Sequence, residues 1–139
     1  MLYLSIKYLI HYKGGIYMRL ILRSLYSMIL LGAGTLHFVR EKSFRRIIPP
    51  ILPFKKALVL ITGVFEIIFS ITLWIRKGQA LTSKLLALFM IAVFPANIYM
   101  AVKRIPIRGK GKANPWLVYL RLPLQIPLII GALKLGRRE

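Results

Sequence analysis

The run Ala57–Ile75, Ala-Leu-Val-Leu-Ile-Thr-Gly-Val-Phe-Glu-Ile-Ile-Phe-Ser-Ile-Thr-Leu-Trp-Ile, constrains the fold more than any other part of the chain. It is apolar enough and long enough to cross a bilayer. Lys55 and Lys56 flank one end, Arg76 and Lys77 the other, and Glu66 sits at the midpoint. A carboxylate at that depth is expensive to keep against lipid, so it has to face protein or trapped water. The other helices are therefore expected to pack around it.

Three further apolar runs can supply those helices. The first span is expected over about 20–39, where Gly32 and Gly34 allow close helix contact and Arg23 can snorkel outward. The second is 57–75 itself. The third runs over about 81–102 and the fourth over about 116–135, the latter opened by Pro115 and Trp116, a residue pair suited to a first helical turn at a membrane interface. The turn Arg76–Gln79 is short, which makes spans two and three antiparallel neighbours. The fold class this implies is an all-α membrane protein, a four-transmembrane-helix antiparallel bundle, as a single domain over residues 18–139. A signal peptide ending near Gly34 is the rival reading of the first run. It is set aside because the run continues through Leu36 and Phe38 and further spans follow. Residues 1–17, interrupted by Lys7, His11 and Lys13, are too short and too charged to span. They read as an interfacial segment or, preferably, as an extension upstream of a start at Met18.

Of the 139 residues, 58% are hydrophobic, Asp is absent, and the net charge is +19. In a soluble protein that charge would point to nucleic acid. Here the Lys and Arg residues flank apolar runs, so anionic lipid headgroups are the expected partner and nucleic acid is not. The basic stretches 40–56 and 103–114 fall on one side of the bundle, called side B; the other is side A. Both sides are basic, so the charges give no orientation. Pro49, Pro50 and Pro53 prevent a regular helix through the middle of 40–56, which is expected to lie in the interface or fold over the bundle end. There is no Cys, which excludes disulfides and thiolate ligation. His11 and His37 are the two histidines, and no metal-ligand spacing, nucleotide loop or nucleophile motif accompanies them.

The polar residues inside the spans converge. Measured along each helix from side B, His37 lies roughly 3 Å in, Asn97 and Arg121 about 7–8 Å, and Glu66 and Gln125 about 13–14 Å. Pro95, Pro123 and Pro127 leave the carbonyls of Ile91, Tyr119 and Pro123 without helical partners, and in hydrocarbon such groups need donors from neighbours. Two helices broken beside a carboxylate imply a small polar cavity opening toward side B, with Glu66 in reach of Arg121 or Gln125. The plainer alternative is that these groups only tie the bundle together, Glu66 with Arg121 as an ion pair and Asn97 and Gln125 as interhelical hydrogen bonds.

At these residues the chain resembles the DoxX-like family of small four-helix membrane proteins. The likeness rests on Gly34-Thr35-Leu36-His37-Phe38, Ile48-Pro49-Pro50 with Leu52-Pro53, Gly63-Val64-Phe65-Glu66-Ile67, Phe94-Pro95-Ala96-Asn97-Ile98-Tyr99-Met100 and Arg121-Leu122-Pro123-Leu124-Gln125. The resemblance implies a multi-pass protein of a bacterial plasma membrane, an accessory or binding subunit rather than an enzyme. It would partner a membrane redox enzyme, with no bound cofactor of its own beyond a quinone as ligand. No catalytic assignment carries over. A second expectation, independent of the family, is a proton-coupled small-molecule carrier using Glu66. So short a chain without an internal repeat would have to act as a homo-oligomer to do this.

Overall fold

The computed structural model describes residues 1–106 and 108–137; Arg138, the last cation of the basic C-terminal run, falls outside them. Among the described residues the chain is all-helical: α1 Leu2–Val39, α2 Glu41–Arg45, α3 Lys55–Thr72, α4 Gln79–Lys103 and α5 Pro115–Leu135. Three of these, α1, α4 and α5, are long and apolar enough to cross a membrane. The shorter α3 carries Lys55, Lys56 and Glu66 within its 18 residues and is not among them. The membrane-type fold expected from the sequence is therefore present in coarse form.

Two boundaries differ from expectation. Residues 1–17 are not a separate segment: α1 runs unbroken for 38 residues, about 57 Å of helix. Its first part, residues 2–14, is exposed on every side. The second run also closes early. Helix α3 ends at Thr72, and Leu73–Ile75 turn instead, with the Leu73 side chain fully buried.

The four long helices form a ring in which neighbours run antiparallel. Helix α1 packs closely on α3, and α4 on α5; α1 touches α5 and α3 touches α4 more lightly, while α3 and α5 are not in contact. The short connection does make α3 and α4 antiparallel neighbours, but the closest packing lies elsewhere. The structure puts the close contacts where side chains are small instead. A Cβ on Gly34 would stand 2.8 Å from the Gly63 carbonyl oxygen, and one on Gly63 would stand 2.8 Å from the His37 Cβ. Gly32 has nothing within 4 Å, so only the second of the two glycines makes the contact.

Two apolar cores stack along the ring. Toward side A, Tyr26 and Leu30 of α1, Phe69 of α3, Leu86 of α4, and Ala132 and Leu135 of α5 close the bundle completely. The Tyr26 hydroxyl donates to the Leu128 carbonyl, tying α1 to α5. At the same end Arg23 is not free to snorkel: its guanidinium lies 5.8 Å from the Trp74 ring centroid and donates to Gln79. Toward side B the core is made by the connection between α1 and α3. Phe44, Ile47 and Ile48 are buried against Val59, Met100, Ala101 and Val118. The Pro-rich stretch thus folds over the bundle end, and Arg46 Nη2 donates to the Pro106 carbonyl at 3.2 Å, joining the two side B loops. Cysteines placed at Ser43 and Lys110 are accordingly expected to react with an impermeant maleimide from the same face of a sealed vesicle. The absence of native Cys makes that readout clean. Labelling from opposite faces would break the topology.

Candidate functional site

Against the side B core lies a cavity of about 420 Å³. His37 from α1, Glu66 from α3, Asn97 from α4 and Arg121 from α5 all line it, and Phe44, Ile48 and Pro49 roof it. Four of the five polar residues expected to converge therefore do so. The fifth, Gln125, is buried behind the wall. Its carbonyl accepts from Asn97 Nδ2 at 2.7 Å, and its own amide donates to the Met90 carbonyl at 2.6 Å. The bond goes to the Met90 carbonyl and not to that of Ile91, the one Pro95 frees. Gln125 holds Asn97 in place and locks α4 to α5.

The expected pairing of Glu66 with Arg121 or Gln125 is corrected. Glu66 pairs with His37, Nδ1 to Oε2 at 3.0 Å, with the two side chains only 12% and 14% exposed. The glycines produce this pair. Gly34 and His37 are one turn apart on α1, and Gly63 and Glu66 one turn apart on α3. The Cβ of Glu66 stands 3.2 Å from where a Cβ on Gly34 would be, and His37 lies over Gly63 in the same way. Each polar side chain leaves its own helix and crosses above the other helix's glycine. Arg121 lines the same cavity from α5, which does not pack closely on α3, and it is bonded elsewhere. Its guanidinium donates to the Met100 sulfur at 3.5 Å.

The pair has a defined proton arrangement. His37 Nδ1 also lies 2.8 Å from the Ala33 carbonyl. A carbonyl and a carboxylate are both acceptors, so Nδ1 has to carry the proton. That leaves Nε2 as the basic nitrogen. The ring is held from its other side by Phe44, centroid to centroid 4.1 Å. An imidazole held on the Ala33 carbonyl beside a carboxylate, with Nε2 left as acceptor, equips the pair to exchange a proton with a bound hydroxyl group. Phe44 was the residue least visible in the sequence as part of the site. Its signal was a single aromatic in the otherwise charged run Arg40–Arg46.

The expected helix breaks are not seen. Pro95 lies within an uninterrupted α4, and Pro123 and Pro127 within an uninterrupted α5. Among the described residues no group of acidic residues, histidines or cysteines could hold a metal ion.

Fold and site together define an all-helical protein with membrane-type helices and a partly open, mainly apolar cavity holding a histidine–carboxylate pair. Residues 26–136 match the model of a domain of unknown function (DUF8561), and the chain belongs to that family. The match takes in the whole cavity and leaves out residues 1–25. No curated protein and no solved structure matches the chain.

Proposed function

We propose that the chain is an integral membrane protein with four spans, α3 included, that binds a small amphipathic molecule in the cavity against its side B core. The case for the fourth span is the surface of α3. Ile61, Val64, Phe65, Ile68 and Ile71 follow helical spacing and are all exposed, a stripe that needs lipid to cover it. Glu66 has His37 beside it, and Lys55 and Lys56 sit at the helix end, where they reach the interface.

The observation that carries the binding reading is the cavity's division of labour. Asn97 and Arg121 are donors, His37 Nε2 is a proton acceptor, Glu66 and Thr62 add two more polar groups, and the remaining lining is mostly apolar. A quinone headgroup matches that set: its carbonyls accept hydrogen bonds, and the hydroxyls of its reduced form have protons to give. An accessory role beside a redox enzyme in a bacterial plasma membrane is the further expectation. It rests on the likeness of the five motifs to DoxX-like proteins. The carrier reading draws on the same pair, but α4 and α5 run unbroken through their prolines, which removes the discontinuous helices it called for.

The test is purification from the native membrane in mild detergent, identification of bound quinone, and titration with a water-soluble quinone analogue. Removing a hydrogen bond to the ligand is worth roughly 1 kcal/mol, so Asn97→Leu and His37→Ala are each expected to weaken analogue binding by about fivefold or more. Folded variants that bind as the parent does would reduce the cluster to bundle glue.

A further inference from the structure

A second cavity, of about 640 Å³, lies between α4, α5 and the side B loop that joins them. Its walls are sorted by chemistry. Arg108, Lys110 and Lys112 of the loop form one side, and Leu117, Leu120 and Leu124 of α5 the other. Arg121 stands between them. Leu117, Leu120, Arg121 and Leu124 follow the spacing i, i+3, i+4, i+7 and so share one face of α5. The three leucines on that face are exposed.

Among the described residues no carboxylate is paired with these cations. Asp is absent and Glu occurs three times. Glu41 is paired with Arg45 and Glu66 with His37, and Glu139 falls outside the described residues. Among the described residues Arg121 has only the Met100 sulfur, a weak acceptor. Arg121 is exposed on the leucine face of α5, and a guanidinium among apolar side chains at that depth calls for an anion. Among the described residues none is paired with it.

We propose that this cavity binds an anionic phospholipid, its phosphate held among Arg108, Lys110, Lys112 and Arg121 and an acyl chain lying along Leu117, Leu120 and Leu124. The level fits. Trp116, 82% exposed, marks headgroup height at the start of α5. Arg121 is five residues deeper, about 7–8 Å, a distance its side chain can span back toward the phosphate. Free inorganic phosphate offers the same oxygens but would leave the leucine face bare. The site is separate from the quinone reading of the inner cavity, apart from Arg121, which lines both.

The experiment is native mass spectrometry of the full chain in neutral detergent, with phosphatidylglycerol, phosphatidylcholine and inorganic phosphate as probes. Phosphatidylglycerol is expected to be retained at least about tenfold better than phosphatidylcholine. A cation near the headgroup contributes about fivefold in affinity, so the exposed-loop variant Lys110→Gln/Lys112→Gln is expected to lose roughly 25-fold. The control Lys55→Gln/Lys56→Gln removes the same charge from side B outside this cavity and is expected to change binding less than about twofold, an effect far below that per-cation contribution. Equal retention of the two lipids, equal losses in the two variants, or displacement of phosphatidylglycerol by inorganic phosphate would each overturn the site. None of these outcomes bears on quinone analogue binding.

Discussion

Gly34→Ala and Gly63→Ala are expected to destabilise the folded protein by about 1–3 kcal/mol each, the usual cost of forcing volume into a packed contact. Gly34→Leu is expected to abolish folding. The new Cβ at 34 would meet a backbone carbonyl at 2.8 Å, and the one at 63 would meet the Cβ of His37 at 2.8 Å. Neither neighbour is the loose end of a flexible side chain, so relief requires α1 and α3 to move apart. Separation also pulls His37 from Glu66, because each of them crosses over the other helix's glycine. Gly32→Ala is the control. It meets nothing within 4 Å and should be neutral, or stabilising by roughly 0.5–1 kcal/mol through helix propensity. Titration of detergent-solubilised protein with a denaturing detergent gives the ranking. Equal effects at 32 and 34 would show that the helices do not depend on this crossing.

That contrast also marks how much could be read from residues alone. Long apolar runs gave the four long helices to within a few residues, apart from the start of α1, because hydropathy over a window of that length reports span positions directly. The Pro-rich loop over the bundle end was legible for a similar reason: Ile47 and Ile48 are too apolar to leave in water. The partner of Glu66 was not legible. The depth estimate took all spans to end at one level on side B, yet α3 starts higher than α1 ends. His37 lies beside Gly63, so Glu66 is only three residues deeper than His37, about 4–5 Å rather than the 10 Å or so inferred from span ends. Rise along a helix also says nothing about which helices are neighbours. Asn97 and Gln125 were expected to bond between helices but not to each other; they meet because they lie on two helices that pack closely.

The second large effect is expected at the histidine–carboxylate pair, and it is unequal between the partners. His37→Leu leaves a buried carboxylate without its paired cation, since Arg121, on the far side of the same cavity, is bonded to the Met100 sulfur. Stripping one partner from a buried pair typically costs about 3–5 kcal/mol, and this variant should fall in that range. Glu66→Leu should cost less. Its stranded partner can stay neutral, keep its Nδ1 proton on the Ala33 carbonyl at 2.8 Å, and remain stacked on Phe44. The double variant His37→Leu/Glu66→Leu should be more stable than His37→Leu alone, because the uncompensated charge is gone. Arg121→Gln supplies the discriminating arm. Combined with Glu66→Leu it is expected to be additive within about 0.5 kcal/mol, as for residues with no shared partner. Strong coupling between Glu66 and Arg121, with none between Glu66 and His37, would move the ion pair to α5 and with it the geometry of the whole cavity. The expected pattern instead leaves Arg121 as a cation that no carboxylate among the described residues pairs.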